Sequence, residues 1–261
     1  MSGDFVVEVG DASPTVMQKN EYVRFIRGAQ ERVMWLHDYD EIYKIQGLYE
    51  AIFVDLFKGI SHQVVPDALV DCMTSSQLDL GQERVLDFGA GVGLAGERLT
   101  QLGVGQLLAI DVTHQGRLAT LRDRPHVYAQ YLVEDMSHPS ETAVEVLRAF
   151  APTALICVSS LNVIPVDAWT TVYDAIPVGG LVAFNVLSGA LATRPEQAFL
   201  NGSNALVRHL MQADLLEVCE QKAYRHRLNS AGQPVMYTAV VGRKRRPLSL
   251  DEARRFSCPS W

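Results

Sequence analysis

A glycine-rich segment carries the clearest chemical pattern in the sequence: RVLDFGAGVGLAG, residues 84–96. Gly91, Gly93 and Gly96 spell G-x-G-x-x-G. Asp87 and Gly89 extend the same stretch into an overlapping D-x-G-x-G-x-G pattern. Glycines between a strand and a helix let a ligand approach the backbone, where the free N–H groups of the helix attract polar or negative groups. Both patterns predict a nucleotide-containing ligand at this turn, but they imply different cofactors.

Asp87 discriminates between these cofactors. It lies at the tip of the apolar run before the glycines. A dinucleotide would bring its pyrophosphate to this turn, where a carboxylate repels it, whereas a cationic amino-acid group would be attracted. The chain also has no Tyr-x-x-x-Lys pair in a helical context. A nicotinamide-dependent oxidoreductase is therefore the less favoured interpretation.

Four positions at or just after the ends of the next two predicted strands suit a nucleoside. Asp111 ends the run QLLAID, about 20 positions after the glycine turn, where an acidic residue binds ribose hydroxyls. Asp135 follows the run YLV and could accept a hydrogen bond from the amino group of adenine. Met136 and Val112 could cover the two faces of the ring.

Short apolar or β-branched runs alternate with helix-like segments between residues 84 and 213, which predicts a parallel sheet covered on both faces. Two longer runs, at 215–228 and 234–244, flank the polar connection NSAGQ and predict a terminal antiparallel hairpin. We divide the chain into an N-terminal helical cap or lid (1–79), a cofactor-binding core (80–242) and a basic C-terminal tail (243–261).

With these motifs and the terminal hairpin, residues 80–242 resemble the class I S-adenosylmethionine-dependent methyltransferases of the small-molecule type. The resemblance implies a Rossmann-like α/β fold with a seven-stranded, mostly parallel sheet, and S-adenosyl-L-methionine as the cofactor. Ser159 and Ser160, after the fourth strand of the sheet, match the family's fourth motif and would border the sulfonium. The cofactor-binding residues expected in full are Asp87, Gly89, Ala90, Gly91, Gly93, Asp111, Val112, Asp135, Met136, Ser159 and Ser160.

The acceptor side carries a weaker signal. The segment SSLNVIP contains Asn162 but lacks the D/N-P-P-Y form typical of methylation of DNA bases or protein glutamine. Residues 35–57 are rich in aromatics at three- and four-residue spacing, which predicts an amphipathic helical region broken at Gly47. This region would form the lid, and packing of its aromatics onto the sheet is the equally weighted alternative. The candidate catalytic residues are His37, Tyr39, Tyr43, His114 and Asn162.

Composition excludes several functional classes. The 261 residues are 48% hydrophobic and carry a net charge of −7, which disfavours nucleic acid as a partner. The four cysteines are scattered, so we expect a reducing compartment and no metal site. The first residues lack the basic region of a secretion signal, and no apolar run reaches the roughly 18 residues of a membrane span.

We therefore expect a cytoplasmic monomer or homodimer, without a membrane partner, that transfers a methyl group to an oxygen, nitrogen or carbon atom of a small molecule. A protein of the same fold that binds S-adenosylmethionine without methylating, such as a cyclase or a binding module, is the second interpretation.

Overall fold

A computed structural model describes residues 4–13, 20–191 and 202–256 of the chain. Its strands are β1 (Val6–Val9), β2 (Tyr22–Arg27), β3 (Gln30–Trp35), β4 (Arg84–Phe88), β5 (Gln106–Asp111), β6 (Gln130–Val133), β7 (Ala154–Cys157), β8 (Leu181–Leu187), β9 (Leu216–Leu228) and β10 (Pro234–Lys244). Its α-helices are α1 (Tyr39–Tyr43), α2 (Ser61–Ser75), α3 (Leu94–Gln101), α4 (His114–Asp123), α5 (Glu141–Phe150), α6 (Val166–Ala175), α7 (Gly202–Gln212) and α8 (Leu250–Arg254). A π-helix spans Glu50–Leu56, and 3-10 turns span Leu80–Gln82 and Ser188–Leu191.

The central sheet has seven strands in the order β6-β5-β4-β7-β8-β10-β9. Strands β6, β5, β4, β7 and β8 are parallel, and β10 runs antiparallel to both of its neighbours. The prediction of a mostly parallel sheet that ends in an antiparallel hairpin is confirmed. The predicted connection NSAGQ joins β9 to β10, and Gly232 takes a positive φ within it.

Helices cover both faces of this sheet, and successive residues of each strand point to opposite faces. Leu86 and Leu155 pack on one face with Trp169 and the other apolar residues of α6. Val85 packs on the other face with Leu69 and the rest of α2. The central strands are mainly apolar because both of their faces are buried.

The N-terminal region differs from the predicted helical cap. Strands β1, β2 and β3 form a three-stranded antiparallel sheet, and the first helix among the described residues begins at Tyr39. The physical reason is the two-residue alternation of β2, in which Val23 and Phe25 are buried while Arg24 faces outward. The predicted helical break is present, because Gly47 has a φ of +72° between α1 and the π-helix.

Buried polar contacts join this N-terminal sheet to the core. The Glu21 side chain is 1% exposed and forms an ion pair with Arg227 of β9. The same carboxylate accepts hydrogen bonds from the backbone N–H and the hydroxyl of Ser230, at 2.6 and 2.9 Å. The N-terminal sheet is thereby attached to the β9–β10 hairpin.

The proposed boundary before residue 243 falls inside β10, which continues through Lys244. The Lys244 ammonium is buried and donates to the carbonyl oxygens of Tyr173 and Ile176, at 2.9 and 2.8 Å. The first basic residues of the predicted tail therefore belong to the core sheet, and α8 follows them.

Candidate active site

The glycine loop lies between β4 and α3, at the carboxyl edge of the parallel strands. Gly91 and Gly93 have φ values of +53° and +83°, a region that side chains with a Cβ rarely adopt. A Cβ at Gly91 would lie 2.8 Å from the Tyr43 hydroxyl, and one at Gly89 would lie 2.3 Å from Ser160 Oγ. The loop requires glycine both for its backbone and for the close approach of its neighbours.

Asp87 lies beneath this loop and is only 1% exposed. The Tyr128 hydroxyl donates to its Oδ2 at 2.6 Å. Burial raises the pKa of Asp87 to about 7, and the nearby Asp111 adds to this effect, whereas the hydrogen bonds from Tyr128 and the Gly96 N–H oppose it. The carboxyl group is thus poised to ionise when a positive charge is placed beside it.

Asp111 connects the glycine loop to the end of β5 through hydrogen bonds. Its Oδ2 accepts from the Gly91 N–H at 2.9 Å, and its Oδ1 accepts from the N–H and the hydroxyl of Thr113, both at 2.8 Å. A carboxylate has about four acceptor positions, so one remains for a ligand hydroxyl. The Gly91 carbonyl in turn accepts hydrogen bonds from Tyr131 and Thr120, at 2.8 and 3.1 Å.

The positions predicted for adenine lie together beside Asp111. The Met136 side chain is 1% exposed, whereas Val112 is 67% exposed. Asp135 accepts a hydrogen bond from the Ser137 N–H at 2.9 Å, which orients its carboxylate. All three side chains line the same cavity as the glycine loop.

This cavity has a volume of about 410 Å³. It brings together most of the site residues predicted from the sequence: His37, Tyr39, Tyr43, Asp87, Gly89, Ala90, Gly91, Asp111, Val112, Asp135, Met136, Ser159, Ser160 and Asn162. Two predicted residues do not line it. Gly93 is the N-cap of α3, and His114 is the exposed first residue of α4.

Aromatic rings from the cap form one wall of the cavity. Ring centroids of Tyr43 and Tyr49 are 5.7 Å apart, and those of Tyr49 and Phe53 are 4.6 Å apart. Tyr39 stacks on Phe53, with His37 at its edge. Burial raises the pKa of both Tyr39 and Tyr43, so their hydroxyls stay protonated at neutral pH.

The sequence did not reveal a polar network behind Ser159. Asn185 of β8 is 1% exposed; its Oδ1 accepts from the Ser159 N–H at 2.6 Å, and its Nδ2 donates to Tyr224 Oη at 2.8 Å and to Ser61 Oγ at 3.1 Å. Ser159 has a φ of +62°, and the Asn185 hydrogen bond holds this unusual turn. An amide within the apolar strand LVAFNVL was the available signal.

His226 of β9 connects this network to the cavity. Its Nδ1 lies 2.6 Å from Ser61 Oγ, and its ring stacks on Tyr237 at a centroid distance of 4.2 Å. Burial, with a further contribution from the positive charge of Arg227, lowers the pKa of His226 to about 3. The imidazole is therefore neutral at physiological pH. Asn162 Nδ2 donates to the Tyr237 hydroxyl at 3.5 Å, on the same side of the cavity.

Among residues 4–13, 20–191 and 202–256, no group of three or more His, Cys, Asp or Glu side chains is arranged to hold a metal ion. Within the same residues, no helix has both the length and the apolar character needed to cross a membrane.

Neither a protein-family model nor a curated protein matches this sequence. Solved structures do match. The N-methyltransferase NodS from Bradyrhizobium japonicum WM9, in complex with S-adenosyl-L-homocysteine, aligns with a TM-score of 0.55 and 10% identity, over 80% of this chain and 97% of NodS. This chain has the methyltransferase fold. A SAM-dependent methyltransferase from Anabaena variabilis ATCC 29413 aligns with a TM-score of 0.51 and 15% identity, over 71% of this chain and 86% of that chain.

The methyltransferase fold explains why the cavity forms where it does. From β4 the chain moves outward through β5 and β6, and it then returns to the other side of β4 with β7. The loops after β4 and β7 diverge at this reversal and leave a crevice at the carboxyl ends of the strands. The glycine loop and Ser159 therefore face each other across the crevice.

Proposed function

We propose that this protein is an S-adenosylmethionine-dependent methyltransferase that acts on a small molecule. The observation that carries the proposal is the shared cavity, in which a glycine loop with its two acidic partners meets an aromatic wall and a partly buried histidine. The net charge of −7 and a cavity of about 410 Å³ favour a small acceptor over a nucleic acid.

The residues present fit S-adenosylmethionine. Gly89 and Gly91 line the cavity without side chains of their own, so a ligand could approach the backbone of the loop there. Asp111 has a free acceptor position for a ribose hydroxyl, and Asp135 lies at the edge of an apolar slot between Val112 and Met136. Asp87 would face the cationic amino-acid portion. When bound, this cofactor supplies a methyl group on a positively charged sulfur.

The chain contributes position and shielding to the reaction. Methyl transfer needs the nucleophile in line with the bond that breaks, so alignment by the cavity walls supplies much of the acceleration. The rings of Tyr39, Tyr43, Tyr49 and Phe53 cover the loop and exclude water from it. The mechanism requires no covalent link to the protein.

Calorimetric titration tests cofactor choice. We expect S-adenosylmethionine to bind and NADH not to bind. Asp111→Ala should weaken binding by about 1.5–3 kcal/mol, the range for hydrogen bonds to a charged group. Asp71→Ala, at an exposed position of α2, is the matched control. Binding of NADH without S-adenosylmethionine would contradict the proposal.

Release of S-adenosylhomocysteine from the full-length protein, measured over a panel of phenols, carboxylic acids and amines, tests transfer itself. We expect S-adenosylhomocysteine to be released only when an acceptor of one class is present. Tight cofactor binding without release for any acceptor would favour a binding protein of the same fold.

A further inference from the structure

The hydrogen-bond network behind the cavity determines which nitrogen of His226 carries the proton. The Asn185 amide orientation is set because its Oδ1 accepts from the Ser159 N–H, so its Nδ2 faces the hydroxyls of Tyr224 and Ser61. Tyr224 Oη thus accepts one hydrogen bond from Asn185. Its own hydrogen needs a second partner, because the group is buried.

Ser61 Oγ, at 2.6 Å, is the remaining partner of Tyr224 Oη among the residues that the structure describes. Ser61 Oγ accepts this hydrogen and must direct its own toward its other neighbour, His226 Nδ1 at 2.6 Å. Nδ1 is therefore an acceptor. A neutral imidazole whose Nδ1 accepts carries its hydrogen on Nε2.

Resting on the proposed function, we propose that His226 positions the methyl acceptor by donating its Nε2–H to an oxygen of an aromatic substrate, a phenolate or an aryl carboxylate. The hydrogen-bond series Tyr224–Ser61–His226 keeps this donor in place. The low basicity of this partly buried ring makes His226 a hydrogen-bond donor to the substrate and not a base that removes its proton.

The surroundings of His226 favour a planar, oxygen-bearing molecule. Tyr237 stacks on the imidazole, and Tyr39 and Phe53, which line the same cavity, stack on each other. Flat rings bind favourably against such surfaces. Arg227 also lines the cavity, and its positive charge favours an anionic oxygen even though Glu21 pairs with it.

Nitrogen-15 NMR of the full chain with labelled histidine tests the tautomer without any cofactor. We expect an unprotonated Nδ1 and a protonated Nε2 for His226. The His226 signals are assigned by their loss in His226→Phe. The control His126→Gln, at an exposed position, should leave the His226 signals unchanged. Ser61→Ala should remove the bias toward this tautomer. A protonated Nδ1 in the parent protein would overturn the inference.

A pair of probes tests substrate recognition. We expect 4-nitrophenolate to bind the parent protein and to bind His226→Phe at least tenfold more weakly, while 4-nitrotoluene, which lacks the oxygen anion, binds both proteins equally. His226→Gln should recover most of the affinity because its amide places a donor near the Nε2 position, unlike the shorter His226→Asn.

Equal weakening for both probes, or no binding of 4-nitrophenolate to the parent protein, would overturn the assignment of substrate class. Failure of S-adenosylmethionine to bind would instead contradict the proposed function and would leave the tautomer result standing. The two failures are therefore distinguishable.

Discussion

Asp87 makes the stability of the unliganded protein depend on pH. Its pKa of about 7 in the folded state exceeds the ordinary value for an aspartate, so the folded protein disfavours the ionised carboxylate more than the unfolded chain does. Stability contributed by the neutral form is present below about pH 4 and is lost as the pH rises through 7. We expect the unfolding free energy to fall by roughly 1 kcal/mol per pH unit in this window. Urea denaturation of the parent protein and Asp87→Asn between pH 5 and 8 measures the effect, and equal slopes would contradict it.

Asn185 supports the strained turn at Ser159. Asn185→Leu preserves the approximate volume but leaves the Ser159 N–H, Ser61 and Tyr224 without their amide partner. Each unsatisfied buried group costs about 1–3 kcal/mol, so we expect a loss of stability of at least that size. Chemical denaturation measures the loss, and loosening of Ser159 should also weaken cofactor binding. An unchanged midpoint would show that the network is dispensable.

At the scale of elements, Arg124 joins the cap to the glycine loop and α3. Its guanidinium contacts Glu50 of the π-helix at 2.6 Å, Glu97 of α3 at 3.0 Å and the Val92 carbonyl at 3.3 Å, and its side chain is 8% exposed. We expect Arg124→Met to cost about 2 kcal/mol, less than the ~3–5 of a fully buried pair because both glutamates reach solvent. Arg98→Met, which breaks a surface pair with Asp67, should cost much less because that pair is screened by solvent. Equal effects on the melting temperature would contradict this role for Arg124.

The contact between α1 and the glycine loop can be tested by a double-mutant cycle. Gly91→Ala adds a Cβ at a positive φ and 2.8 Å from the Tyr43 hydroxyl. We expect a cost of about 1–3 kcal/mol from the backbone conformation, together with weaker cofactor binding. Tyr43→Phe should remove the part of this cost that comes from the hydroxyl contact. Calorimetry should therefore find that the double variant loses less stability than the sum of the losses of the two single variants. Strict additivity would place Tyr43 away from the loop.

At the scale of the whole molecule, the sequence predicted the core sheet and the residues that meet at the glycine-loop end of the cavity, because both follow local rules. Strand runs alternate with helices, and Asp87, Gly91 and Asp111 occupy positions set by single strand ends. The acceptor end depends on residues far apart in sequence, such as Ser61, Asn185 and His226. No local pattern links these residues. The N-terminal strands were missed because β3 is exposed at five of its six residues and so shows no clear apolar alternation.

The ion pair between Glu21 and Arg227 joins positions 206 residues apart. Synthesis on the ribosome proceeds from the N-terminus, so β1, β2 and β3 emerge long before their partner in β9 exists. The glycine loop and the first parallel strands can assemble while the hairpin is still unmade. Two backbone hydrogen bonds also join residues 57–60 to this distant hairpin. They run from the Ile60 N–H to the His226 carbonyl and from the Leu228 N–H to the Phe57 carbonyl. The half of the cavity that we propose holds the acceptor is therefore the last to be completed, and a nascent chain would form its glycine loop before that half exists.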